Sequence, residues 1–388
     1  MDKIEVTFAL SDEIANGLAS GRYERVGGVI RETGTKRIVA WLREVLEQTG
    51  DGPEKPPRLS PSSIGSAASV LNLAVSSMGF AIVMKRLGAI EQELQRAHEV
   101  LRLVDHKIDL SFYANFRAAL DLATNAFTMS NLENRKMSAM QAINRFLEAE
   151  QHYKHLVDLE LEQGSQVADE YLLTLALAYI AEVRCYLQLE EVETAYRRLR
   201  KGVVELRPRC EQLVKVLLTS NPAAYLHPAL KGQVDLRRLT QVYRWLDPSW
   251  DENSVFEAQR ENLFKLAEKP QEWVNSLPPA FHISKRSHLA KLREALPLSK
   301  AFPRRKKVLG TEDDTVTIYD RLPKIFEVIE EVVESETRFQ MYGAEIEAVS
   351  QLGMSFDDWV RLAPSSDDQS GSARLMYIVP SQPLELTA

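Results

Sequence analysis

Glu148, His152 and His155 fall at i, i+4 and i+7 of a helical stretch, a spacing that puts three metal-ligating side chains on one stripe. Imidazole and carboxylate together suit a first-row divalent ion. The Glu-x-x-His pairs of di-iron bundles and the His-Glu-x-x-His of zinc peptidases are both missing, however, so the expectation is an exposed polar face and no metal. A second stretch with the composition of a chemical site is "GGVIRETGTK", residues 27–36. A phosphate loop needs Gly-x4-Gly-Lys-Ser/Thr opening a helix, so that consecutive N–H groups wrap the phosphates. Here Gly28 and Gly34 are separated by five residues, Thr35 stands where the lysine should be, and the "RIVAWL" that follows is β-branched and aromatic. No nucleotide site is expected.

Gly-x-Ser-x-Gly and Gly-rich dinucleotide fingerprints do not occur. The two cysteines, Cys185 and Cys210, sit in helical sequence with neither a disulfide framework nor zinc-ligand spacing. No catalytic, cofactor-binding or metal residue is assigned, and a non-enzyme without cofactor is expected.

The composition agrees with a folded protein that does not bind nucleic acid. The chain has 388 residues, 45% hydrophobic and 27% charged, with a formal net charge of −7. Neutralising phosphates takes a clustered cationic surface, and the one basic run, "PRRKK" at 303–307, is followed at once by Glu312, Asp313 and Asp314. The opening "MDKIEVTFALSDE" has no charged-then-apolar-then-small order of a secretory signal. A cytoplasmic protein, membrane-associated in some states, is the expectation.

The elements that must position any site begin with a small α/β module over residues 1–49. "IEVTFAL" reads as a strand, and 11–21 as a helix between a Ser11 cap and a Gly21 stop. "RYERVGGVIRE" and "KRIVAWLRE" read as two hairpin arms around "TGT", whose glycine takes the positive φ of the turn. Residues 50–63, rich in Pro, Gly and Ser, form a linker.

The next segment, 64–110, is the most distinctive. "IGSAASVLNLAVSSMGFAIVM", 64–84, has no charge over 21 positions, the length of a membrane span. Its large apolar residues are Ile64, Val70, Leu71, Leu73, Val75, Phe80, Ile82 and Val83; together they contribute roughly −2 to −5 kcal/mol to insertion, which Asn72, the serines and the glycines oppose. That near-balance predicts an apolar helix held by lipid or by protein according to state. A 3,4 spacing then continues through a seam of Leu87, Ile90, Leu94, Leu101, Val104 and Ile108, predicting a heptad stalk.

Residues 111–300 read as a helical body of αα-hairpins, with helices over 112–128, 134–163, 166–189 and 191–206. "LALAYIAEVRCYLQLEEVETAYRRLRKGVVELRP" resembles a single tetratricopeptide unit through Tyr179, Tyr186, Ala195 and Leu199, with Gly202 in place of the usual alanine and Pro208 one residue late. A Trp/Pro-rich part, 220–281, offers Tyr225, His227, Trp245, Trp250 and Trp273 as lining for a partner pocket. A charged linker (301–315), C-terminal helices (316–363, opened by Pro323 and including a Ser355 cap) and a tail (364–388) with a strand-like "RLMYIV" complete the chain.

The fold class expected is mainly α: a helical-bundle and coiled-coil body with a small N-terminal α/β hairpin module. The layout is similar to that of membrane-acting effectors and α-pore-forming proteins, which implies a non-catalytic protein that associates with itself or with membranes. Two alternatives stay open, a soluble adaptor binding another protein through its αα-hairpins and an enzyme with an unrecognised site.

Overall fold

A computed structural model describes residues 12–44, 88, 111–165, 167–281, 318–361 and 375–378. The apolar stretch 64–84 and all six seam residues of the stalk lie outside the described residues. The protein is mainly α with a small antiparallel sheet, as expected from the sequence.

Helix α1 (Asp12–Ala19) precedes strands β1 (Tyr23–Val26), β2 (Val29–Glu32) and β3 (Ile38–Glu44). The body follows as α2 (Ser111–Thr128), α3 (Leu132–Gln163), α4 (Ala168–Gln188) and α5 (Val192–Leu218), then α6 (Leu236–Leu246), α7 (Glu252–Glu268) and α8 (Pro270–Ser276). Helices α9 (Leu322–Gln351) and α10 (Phe356–Arg361) and strand β4 (Leu375–Ile378) end the described chain.

Caps set the helix ends. The Asn131 side chain accepts from the Asn134 N–H at α3, and Gly164, at φ 60°, closes the same helix. Asp235 and Asp251 cap α6 and α7 in the same way, and Ser355 accepts from the Asp358 N–H at α10.

The central element is α4. Eighteen of its 21 residues are buried, so it is apolar almost all round because it is enclosed almost all round. It lies between α3 and α5, and α9 packs along α5. One apolar core runs from Val29 to Trp359.

Two local expectations need correcting. "RYERVGGVIRE" is not one hairpin arm: it folds on itself as β1 and β2, with Gly27 (φ 55°) at the first turn position, where a type II′ turn favours glycine. A Cβ on Gly27 would also stand 3.2 Å from the Arg338 backbone. In the turn before β3, the left-handed residue is Lys36 (φ 64°), not Gly34; its ammonium reaches the Glu24 carboxylate at 2.9 Å. The helix expected to stop at 206 continues to Leu218 through Pro208. Pro208 removes the backbone bond to Val204, which lies on the exposed side (73% exposed), while Leu213, Val214, Leu217 and Leu218 bury the continuation.

The sheet order is β1-β2-β3-β4, antiparallel throughout, so the strand-like C-terminal segment does join the N-terminal sheet beside β3. A register shift pairs Ile30 with Ala40 but Arg31 with Ile38, leaving Val39 as the extra residue. Ile38 and Trp41 consequently join the main core, whereas Val39 and Ala40 pack with Ile14 and Tyr23 in a small second core beneath α1.

Gly202 marks the closest approach of the body helices. A Cβ there would lie 2.9 Å from Phe339 Cζ on α9 and 2.9 Å from Tyr179 Cγ on α4, and both rings are fully packed. Gly202→Ala is therefore expected to destabilise: overpacking costs about 1–3 kcal/mol, of which helix propensity returns about 1. A raised melting temperature for this variant would show that the two rings yield.

Candidate functional site

The first concentration of charge lies between α3, α4 and α5. Arg198 donates from Nη2 to Glu150 Oε2 at 2.7 Å and from Nε to Glu182 Oε1 at 2.6 Å, with the two glutamates 1% and 0% exposed. Burial, reinforced by the hydrogen bond and charge of Glu182, pushes the Glu150 carboxyl up to about 9 despite Arg198. Burial alone would lower the Arg198 pKa; the two carboxylates outweigh it and raise it. Further pairs tie α3 to α5 outside this triad: Arg209 holds Asp158 bidentately at 2.8 Å, and Lys154 meets Glu205 at 3.5 Å. Two carboxyls with divergent environments could in principle move protons. Here they are sealed from solvent, and what they hold is the relative placement of three helices.

Glu148 of the metal-spaced stripe pairs with Arg145 at 2.9 Å, and the His152 ring sits 5.6 Å from that of Tyr153. Among the described residues no group of three His, Cys, Asp or Glu side chains is placed to share a metal ion. Burial raises the thiol pKa of both Cys185 and Cys210, helped by Glu182 at the first and Glu336 at the second, so neither is an activated nucleophile.

The five aromatic residues of the Trp/Pro-rich part divide into two groups. Tyr225 is fully buried, donating to the Leu217 carbonyl at 2.6 Å and packing on Phe326. His227 stacks on Tyr319 at 4.2 Å, and Trp273 lies 6.0 Å from the same ring with its indole N–H on Thr219. In the other group, Trp245 donates to Glu336 Oε2 at 3.0 Å beneath the Arg207 guanidinium, which stacks over its ring at 4.0 Å; Trp250 packs on Tyr243. In these positions the aromatic rings brace α5, α6 and α9.

A cleft opens where α4, α5 and α9 meet. Its cavity volume is about 30 Å³, within a half-open space of about 400 Å³. Leu172, Leu173, Ala176, Leu206, Val332 and Phe339 make its walls apolar, and Cys210, Asp169, Ser335 and Glu336 complete the lining. Glu336 is satisfied by Arg207 at 3.0 Å and by Trp245. Ser335, only 8% exposed, has no partner for its hydroxyl, and neither has Oε2 of Glu331, one turn earlier on the same face of α9. Burial, then the charges of Asp169, Glu327 and Glu330, push the Glu331 carboxyl up to about 8.

The second surface feature is on α7, whose inner face buries Val255, Gln259 and Leu266. Phe256 (50% exposed), Leu263 (36%) and Phe264 (68%) stand on the outer side at i, i+7 and i+8. Arg260, beside them, is engaged by Glu257 at 2.8 Å. At 100° per residue Glu257, Glu261 and Glu268 form an acidic row along the stripe. No helix among the described residues is long and apolar enough to cross a membrane.

Comparison with protein-family models, curated proteins and solved structures finds no match.

Sequence reasoning did not single out either feature. Glu331 and Ser335 are one turn apart on α9, but Asp169 and the apolar walls come from α4 and α5, far away in the chain, so no local spacing signals the cleft. Phe256, Leu263 and Phe264 were legible as apolar positions, but which face of α7 stays uncovered depends on its neighbours.

Proposed function

We propose that this chain is a non-catalytic helical scaffold that binds another protein through the outer face of α7. The observation that carries this reading is the stripe of Phe256, Leu263 and Phe264, two aromatic anchors and a leucine left in solvent on one ordered helix. Aromatic side chains in such positions are the usual anchors of a protein interface. The acidic row beside the stripe and the chain's net charge of −7 favour a partner segment that is amphipathic, with an apolar face and basic flanks. The ionisable groups of the body support the same reading: the strongest ion pairs, at Arg198, Arg207 and Arg209, fasten helix to helix.

A photoreactive phenylalanine analogue placed at position 256 or 264 tests this in cells that make the protein. A discrete adduct with one partner is expected from both positions and not from a control at Glu193 on α5, and Phe256→Asp with Phe264→Asp should abolish partner binding without lowering the melting temperature. Adducts only of the chain with itself, or equal adducts from the control, would overturn the reading.

A further inference from the structure

Helix α5 carries seven cations, and four of them are paired. Arg198, Arg207, Arg209 and Lys215 each meet a carboxylate. Arg197, Arg200 and Lys201 are exposed and form no ion pair among the described residues; the Arg200 guanidinium lies 5.9 Å from the centre of the Tyr196 ring. Their spacing, i, i+3 and i+4, puts all three on one side of the helix, and Val204, 73% exposed, stands among them one turn on. At 100° per residue the four occupy about 100° of arc and about 10 Å of helix length. In a chain of net charge −7 this is a local reversal of sign. Acids bound it at both ends, the exposed Glu193 one turn before Arg197 and Glu211 beyond Pro208. A phosphate backbone laid along α5 would run onto those carboxylates, and Val204 offers it no contact. A short acidic peptide segment with an apolar side chain meets neither obstacle.

We propose that this face of α5 docks an acidic amphipathic segment of a partner protein, its carboxylates pairing with Arg197, Arg200 and Lys201 and an apolar side chain covering Val204. Charge complementarity selects the occupant: two guanidinium forks and an ammonium within one turn suit carboxylates presented at helical spacing. The α7 stripe, with its acidic row, asks for a segment of the opposite charge. The inference therefore adds a second class of partner to the scaffold, on a different helix, and does not rest on the α7 surface.

The test titrates the full chain into labelled peptides at about 0.15 M salt and reads fluorescence anisotropy. The peptide EELLEELLEELL is expected to bind saturably, with EEAAEEAAEEAA, of equal charge, about tenfold weaker for want of the apolar contact. Arg197→Glu combined with Lys201→Glu should eliminate binding of both peptides. Val204→Ser should weaken the leucine peptide by about tenfold and leave the alanine peptide unchanged. All three positions are exposed, so the melting temperatures of these variants should hold. KKLLKKLLKKLL, run in parallel, reports on α7: its binding should survive the α5 substitutions and disappear in Phe256→Asp with Phe264→Asp, so a failure at one face is distinguishable from a failure at the other. No saturable binding of the acidic leucine peptide, equal affinity for the alanine peptide, or binding that persists in the folded double charge reversal would overturn the proposal. So would a thymidine oligonucleotide or an anionic vesicle bound as tightly as the peptide and lost in the same variant, because the face would then be a general polyanion surface.

Discussion

Arg198→Ala is expected to cost about 3–5 kcal/mol in urea unfolding, enough to leave much of a marginally stable protein unfolded. The guanidinium bridges Glu150 and Glu182, which are 1% and 0% exposed and also hydrogen-bond each other, and its removal leaves this buried acidic pair without its counter-charge among three helices. The loss comes from stranded charge and not from a missing attraction, so a neutral replacement of the whole triad should recover most of it. Arg198→Met combined with Glu150→Gln and Glu182→Gln is the variant to make. The pH dependence carries the same signature. Glu150 is raised from 4.5 to about 9 in the folded protein, so its contribution to stability is fully present below 4.5 and is lost as pH rises through about 9. Over that window the unfolded chain releases the proton and the folded chain keeps it. Glu150→Gln should flatten the slope of stability against pH there; an unchanged slope would place the titration elsewhere.

Trp359→Ala should have a comparable effect, about 3–5 kcal/mol, as deletion of a large buried aromatic ring does. Trp359 on α10 is 1% exposed, and its indole N–H donates to Glu345 at 2.5 Å. Its ring meets Trp41 of β3 edge-on, 5.4 Å between centroids and 89° between planes. This contact fastens the N-terminal sheet to the helical body and, through β4 on the far side of β3, to the C-terminal segment. A double-mutant cycle with Trp41→Ala is expected to return a coupling of about 0.5–1.5 kcal/mol. Additivity of the two losses would mean that the rings are buried independently and that the sheet is held by other contacts.

Much of the architecture was readable from local chemistry. Helices α2, α3 and α4 lie close to where their 3.6-residue period puts them, and Gly164 and Ser355 act as helix termini because caps satisfy backbone groups within a single turn. The errors were also local in form but tertiary in cause. Pro208 reads as a stop signal, yet the apolar surface of Leu213, Val214, Leu217 and Leu218 outweighs one lost backbone bond. The paired glycines at 27 and 28 form a turn within what reads as a single strand-like run, and the close approach of Arg338 that also demands a glycine at 27 comes from another helix.

What the sequence determined by itself was therefore the set of elements: a mainly helical chain, a short β-rich head and the polar caps that punctuate it, all properties of neighbours within a few residues. Tertiary structure decided the rest. Glu150 meets Arg198 across 48 residues and Arg207 meets Glu336 across 129, and the cleft exists only because α9 returns to lie on α5. The physical reason is that a helix presents several faces and its sequence states which are apolar, whereas which apolar face is covered, which charge finds a partner and which oxygen is left without one are settled by the neighbours that arrive from elsewhere in the chain.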